Sequence, residues 1–223
     1  ERLRAFRAAT GGGLAIVYGR RRCGKSTLLQ RVLDAQAVYF QADQREAPLQ
    51  RRSVQKAVAR VLPEFERGSY ANWDDFLSAL YVRAPQRLCV CLDEFPYLVQ
   101  GASELPSLLQ RYVDRPEGQI QWILCGSSQR MMQGLVLDRT APLYGRATEI
   151  VKLEPLSAGW LPRALKWGPA AAVEAYSIWG GIPRYWELAE EHKDLESGLR
   201  NLVWDRFGVL HEEPVRLLLD DLR

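Results

Sequence analysis

The sequence predicts an α/β fold: a five-stranded, mainly parallel sheet sandwiched by helices, followed by a small all-helical domain. Three observations support it. Five short apolar runs, at 14–18, 37–41, 88–92, 120–125 and 148–153, alternate with helical patterns. Strands that alternate with helices build a parallel sheet covered on both faces. Leu105, Leu108, Leu109, Tyr112 and Val113 recur at i, i+3, i+4, i+7 and i+8, the apolar stripe of a core-facing helix. After Leu153 the strand-like runs stop, and Gly and Pro punctuate helical patterns to the end.

Taken in order, residues 1–7 carry a charged helical pattern, and the first run, 14–18, leads into a Gly-rich loop and a helix over 25–35. The second run is followed by a helix over 53–62. Asn72 reads as the N-cap of the next helix, with Asp75 at its third position and Phe76, Leu77, Leu80 and Tyr81 on its apolar face. Residues 88–92, the helix over 105–113, and the runs at 120–125 and 148–153 complete a first domain over 1–153. The segment Glu154-Pro155-Leu156-Ser157 marks a boundary. Beyond it Gly168-Pro169 starts one helix, Gly180-Gly181 ends it, and Pro183 starts another. Residues 154–223 are therefore expected to form the helical domain.

A length of 223 residues suffices for one full domain and a small second one. Hydrophobic content of 47% and charged content of 26% fit an ordinary soluble protein. No apolar stretch approaches the roughly 20 residues that span a membrane. A net charge of +3 is too small to argue for nucleic acid, although Arg outnumbers Lys. Cys23, Cys89, Cys91 and Cys125 lie in apolar or loop settings with no second Cys pair or His at ligand spacing. Cys89 and Cys91, on one side of a strand, read as small hydrophobes, Cys23 lies in the Gly-rich loop with no chemistry the sequence assigns to it, and the usage fits a reducing cytoplasm.

Residues 19–26 read G-R-R-R-C-G-K-S, the spacing G-x-x-x-x-G-K-[ST] of a phosphate-binding loop, set between a strand and a helix. Backbone N–H groups from Gly19, Arg20, Arg21, Arg22, Cys23 and Gly24 would face phosphates, helped by the helix dipole. Lys25 would reach the β and γ phosphates, and Ser26 would hold Mg²⁺. The run L-C-V-C-L ends in Asp93-Glu94, the Walker B pattern. Asp93 would bind Mg²⁺ through water and Glu94 would polarise the attacking water; a cation offsets the repulsion of two adjacent carboxylates. After the run at 120–125, Ser127 is the better candidate to touch the γ-phosphate or the water, and Ser128 the alternative.

Arg184, next to Pro183, sits in the first turn of a helix, where a cation opposes the dipole by about 0.3–1 kcal/mol. Arg20, Arg21 and Arg22 crowd the start of another. Bound phosphate would relieve both conflicts. Arg146, in the loop before the fifth run, is placed to reach a neighbouring copy's site.

Together G-R-R-R-C-G-K-S-T-L-L, C-L-D-E-F-P-Y-L, I-L-C-G-S-S, P-L-Y-G-R and G-G-I-P-R-Y-W, in this order, resemble the prokaryotic and especially archaeal P-loop ATPases of AAA+/STAND type. The resemblance implies a strand order of 5-1-4-3-2 and an ATPase core with a helical lid. Gly24, Lys25, Ser26 and Thr27 match Walker A, and Asp93 and Glu94 match Walker B. Ser127 falls at the sensor 1 position, where relatives often carry Asn or Thr. Arg146 matches an arginine finger acting in trans, which implies a homo-oligomer. Pro183 and Arg184 match a lid motif that contacts nucleotide. The implied ligands are ATP, ADP and Mg²⁺.

Two departures matter. The family's R-E-x-E-L segment, which lines the adenine pocket, is reduced to Glu1-Arg2-Leu3, and the chain starts in mid-helix without Met. The expected winged helix and nuclease-like output region, through which a DNA or protein partner would act, do not follow. The favoured activity is Mg²⁺-dependent ATP hydrolysis in the cytoplasm. The rivals are a nucleotide-gated switch with little turnover and a DNA-associated, initiator-like ATPase. A small-molecule kinase fits the Gly-Arg and G-I-P-R elements less well.

Overall fold

The computed structural model describes residues 1–115, 119–165 and 167–222; the last residue of the expected helical domain, at 223, lies outside them. Five strands form one sheet: β1 (Gly13–Gly19), β2 (Val38–Gln41), β3 (Leu88–Asp93), β4 (Ile120–Gly126) and β5 (Glu149–Leu153). Each coincides with an apolar run to within a residue or so. The order is β2-β3-β4-β1-β5, which is 5-1-4-3-2 read from the other edge, and every neighbouring pair is parallel.

Parallel crossovers place helices on both faces, so the central strands must be apolar on both sides. β3 and β4 are buried along their whole length. Alternation sorts their side chains into two cores. Leu14, Ile16, Val38, Phe40, Val90, Leu92, Trp122 and Leu124 point to one face. That face is covered by α3 (Ala47–Ala59), α4 (Trp73–Arg83), α5 (Phe95–Gly101) and α6 (Leu105–Val113). Ala15, Val17, Cys89, Cys91, Ile123 and Cys125 point to the other, against α1 (Arg2–Ala8) and α2 (Lys25–Val32). Four of the strand positions in this second core, Ala15, Cys89, Cys91 and Cys125, carry small side chains. α1 is tied down by Leu3 and Phe6, and by the amide of buried Gln121, which donates to the Phe6 carbonyl.

Helix limits differ from the sequence reading in several places. α2 stops at Val32, three residues early, before the Asp34 turn. α3 starts at Ala47, six residues early, because Pro48 suits a first turn and Gln50 begins its buried face. α5 was not anticipated; it follows the third strand directly, again with Pro96 in its first turn. The start of α4 agrees: the Asn72 side chain accepts from the Asp75 N–H at 2.8 Å. A short helix α7 (Gln129–Met132) follows β4.

By contacts the chain divides into two compact units, 1–21 with 25–153, and 22–24 with 154–223. The second contains α8 (Leu161–Leu165), α9 (Pro169–Trp179), α10 (Pro183–Glu190), α11 (Leu195–Leu199) and α12 (Glu213–Leu222), and no strand among its described residues. Its own core gathers Leu161, Leu165, Trp179, Trp186 and Leu202. Gly180 ends α9 at φ 56°. Gly181 then runs so close to the boundary segment that a Cβ would sit 2.0 Å from the Leu156 carbonyl oxygen, while the Leu156 N–H donates to Gly181.

The Asn72 cap supplies a stability test. Asn72→Ala leaves the Asp75 N–H without its acceptor and is expected to cost about 1 kcal/mol. Urea unfolding of the two proteins measures it as a lower midpoint at unchanged slope.

Candidate nucleotide site

All five strands run the same way, so the C-terminal ends of β1, β3 and β4 open on one edge of the sheet, where ligands of open α/β sheets bind. The loop from Gly19 to Lys25 leaves β1 there. Its path needs three residues at positive φ: Gly19 (152°), Arg22 (64°) and Gly24 (84°). At Gly19 a Cβ would lie 2.3 Å from the Leu153 carbonyl oxygen, so only glycine lets β1 pair with β5 and still turn. Such a curled backbone presents successive N–H groups to an anion. Lys25 is 5% exposed, and its Nζ donates to the carbonyls of Gly19 (2.9 Å) and Arg20 (2.8 Å). The ammonium is thus folded back under the loop, using two of its three donors.

Asp93 closes β3 and is 1% exposed. Its Oδ2 accepts from the Ser26 hydroxyl (2.7 Å) and the Tyr39 hydroxyl (2.8 Å), and its Oδ1 from the Glu94 N–H (2.9 Å). Register explains the meeting. Gln41 lies opposite Asp93 and Tyr39 opposite Cys91, so Tyr39 and Asp93 share the face that carries α2, and Ser26 is in the first turn of α2. Burial and then the bond to Asp93 push the Tyr39 phenol well above its usual range, so it remains a donor. The Cys125 thiol lies beside the same carboxylate and is raised by burial and by that charge.

These residues fit a hard divalent cation. The Ser26 hydroxyl donates its hydrogen bond to Asp93, which leaves the hydroxyl oxygen's lone pairs for a metal, and Asp93 supplies the negative charge. Among the described residues no group of three or more His, Cys, Asp or Glu could hold a metal. One hydroxyl and one carboxylate are what Mg²⁺ uses when phosphates and water supply its other ligands.

Glu94 occupies the left-handed region (φ 52°, ψ 42°), a conformation that costs a non-glycine residue about 1–3 kcal/mol. The twist turns its carboxylate toward the end of β4. There it accepts from the Ser127 N–H (3.2 Å) and, by a short bond, from the Ser127 hydroxyl. Ser128 points elsewhere and accepts from the Met131 N–H at 3.3 Å.

A family model described as an ATPase domain predominantly from Archaea matches residues 8–188. The chain belongs to this family. An uncharacterised protein of Methanocaldococcus jannaschii is 31% identical over 215 residues, 89% of this chain and 46% of that protein. The chain therefore spans about half the length of that relative. Among solved structures, a Walker-type ATPase of Pyrococcus abyssi superposes with a TM-score of 0.67 at 19% identity, covering 92% of this chain and 70% of that one. The ORC2 protein of Aeropyrum pernix in its ADP form superposes at 0.56 and 20% identity, covering 81% and 56%. At these identities the structures attest a shared fold, that of P-loop ATPases.

The archaeal-ATPase chain engages its remaining candidate residues in local contacts. The Arg21 guanidinium donates to the Tyr97 hydroxyl at 3.1 Å. Arg22, grouped by contacts with the second unit, is ion-paired with buried Glu213, which also accepts from the Tyr185 hydroxyl at 2.8 Å. Burial raises the Glu213 carboxyl, and the bonds from Arg22 and Tyr185 outweigh it, so the net shift is downward. Cys23 is buried and Thr27 exposed. Arg146 forks onto Asp114 of its own chain, Nε to Oδ1 at 2.7 Å and Nη2 to Oδ2 at 2.9 Å, and Nη1 donates to the Pro142 carbonyl. Asp114 holds its guanidinium above the ordinary range. Pro183 begins α10, and exposed Arg184 pairs with Glu187 at 3.1 Å, a partner one turn on that itself offsets the dipole conflict. Tyr39 was missed in the sequence reading, where it stands only as a strand residue.

All four cysteines are buried, and none is in a disulfide. Burial pushes the Cys89 thiol up to about 12, and Cys91 well up. At pH 8, thiol labelling of the folded protein is therefore expected to be slow at all four, and rapid and complete in denaturant. Fast labelling of any cysteine in the folded state would contradict this packing.

Proposed function

We propose that this chain binds ATP with Mg²⁺ and hydrolyses it to ADP and phosphate. The observation that carries the reading is the Ser26–Asp93 hydrogen bond, which joins the first turn after the phosphate loop to a buried carboxylate with Glu94 next to it. The loop N–H groups and Lys25 would neutralise the β and γ phosphates. Ser26 and Asp93 would hold Mg²⁺, which when bound supplies charge stabilisation to the transferring phosphoryl group. Glu94 would orient and polarise water, and Ser127 would set the position of its carboxylate. The ADP form of the similar ORC2 protein supports a nucleotide in this fold.

The second unit would act as the helical lid, with Pro183 and Arg184 toward nucleotide. Any DNA or protein partner would act through sequence of the kind that the longer Methanocaldococcus relative carries outside its matched part. Four buried cysteines outside any disulfide suit a reducing cytoplasm. A nucleotide-gated switch with slow turnover is the second reading, favoured by one observation: both Ser127 donors occupy the Glu94 carboxylate.

Lys25→Ala is expected to abolish ATP–Mg²⁺ binding by calorimetry. Glu94→Gln is expected to keep binding while hydrolysis falls by roughly 10²–10⁴, the range for losing a positioned base. Equal loss of binding in Glu94→Gln would assign it to structure, and negligible turnover in the wild type would favour the switch. ATP–Mg²⁺ at about 100 times its dissociation constant should stabilise the fold by about 2.7 kcal/mol, seen as raised thermal melting that Lys25→Ala loses.

Arg146 can act in trans only by leaving Asp114. An arginine finger contributes roughly 10³–10⁵ in rate, far above the ~0.2–1 kcal/mol of an exposed ion pair. Hydrolysis should then rise more than linearly with protein concentration. Arg146→Ala should lose activity but not binding, and mixing it with Glu94→Gln should restore turnover. A linear dependence with no rescue would leave Arg146 as the local partner of Asp114.

A further inference from the structure

Asp93 is held by three donors, and one of them lies outside every motif. The Tyr39 hydroxyl donates to the same oxygen, Oδ2, that accepts from Ser26. Tyr39 comes from β2, the edge strand, and reaches Asp93 along the face that α2 covers. Its ring packs against that core beside Cys91, its register partner on β3.

Without the Tyr39 hydroxyl each oxygen of the Asp93 carboxylate would keep a single donor, and the group would be less firmly fixed about χ2. With Tyr39 and Ser26 on Oδ2 and the Glu94 N–H on Oδ1, both oxygens are fixed. Fixing Oδ2 also fixes the direction of the Ser26 O–H, and with it the direction of the Ser26 lone pairs. Partners of this kind, one shell removed from a metal, typically change metal affinity by 10–100-fold when lost.

We infer that Tyr39 is a positioning residue for the divalent cation: it holds Asp93 so that Ser26 and Asp93 face the metal together. The inference rests on the nucleotide–Mg²⁺ reading of the site and adds to it a residue of β2. It makes Tyr39 matter to the metal and not to the phosphates, which the loop and Lys25 would hold.

The test is affinity for a non-hydrolysable ATP analogue, measured by calorimetry in EDTA and across a Mg²⁺ titration, on the wild type and Tyr39→Phe. The expected result is unchanged affinity in EDTA and a Mg²⁺ requirement raised roughly 10-fold in Tyr39→Phe. The same titration on Ser26→Ala and on the double variant should show non-additive effects, because Tyr39 acts through the oxygen it shares with Ser26. A Mg²⁺ requirement identical to wild type in Tyr39→Phe, or strictly additive effects, would overturn the role of Tyr39. A wild type whose analogue affinity ignores Mg²⁺ would overturn the metal reading, and the inference with it.

Thermal melting separates packing from positioning. A variant that only melts earlier, with its Mg²⁺ requirement unmoved, shows a structural tyrosine. Should Tyr39→Phe fail to fold, Tyr39→Gln retains a donor, and a Mg²⁺ requirement unchanged on losing the aromatic ring but raised in Tyr39→Leu supports the hydrogen bond. Equal requirements in these two variants would count against it.

Discussion

A carboxylate buried to 1% exposure at the end of a central strand is the constraint around which the first unit is arranged. An ionised Asp93 without partners would carry a large desolvation penalty. Three donors meet it, each a hydrogen bond to a charged group of the kind worth about 1.5–3 kcal/mol. They come from α2, β2 and the backbone after β3. The compensation therefore works only when the crossovers have placed three separate segments correctly. A stability requirement and a candidate binding geometry coincide at one side chain.

The same edge of the sheet concentrates unusual backbone. Arg22 and Glu94 are non-glycine residues in the left-handed region, and Gly19 and Gly24 also take positive φ. Strain of this sort persists where surrounding structure over-determines it, and it clusters at functional sites. At Glu94 the holding contacts are visible: its N–H is bound to Asp93, its carboxylate to Ser127, and α5 begins at the next residue with Phe95 fully buried. The small side chains of Ala15, Cys89, Cys91 and Cys125 lie on the face of the sheet where Ser26 meets Asp93.

Much of this was legible in the chain. The five strands are legible because a sheet covered on both faces demands near-continuous apolar runs, a signal that turns and caps interrupt only at the ends. The phosphate loop is legible because glycine is needed at fixed offsets, and Gly19 and Gly24 stand at those offsets. Asn72 is legible because a cap acts within three residues. α5 was not, since Phe95-Pro96-Tyr97 is short and its proline suits a turn as well as a helix start. The early beginning of α3 escaped for a related reason: the polar residues before Ser53 are its solvent face, and only Gln50 of them is buried.

What the sequence by itself determined was the set of strands, their alternation with helices and the local chemistry of the loop and of Asp93-Glu94, because each depends on residues a few positions apart. Which side chains complete the site was decided only by tertiary structure. Tyr39 reaches Asp93 across a separation of 54 residues through sheet register. Ser127, not Ser128, reaches Glu94 because the end of β4 aims it there. Arg146 is forked onto Asp114, 32 residues away, although its local sequence reads as a free loop cation. Hydrogen bonds form where the packing of strands and helices brings donors and acceptors within 3 Å, and no periodicity in the chain records that distance.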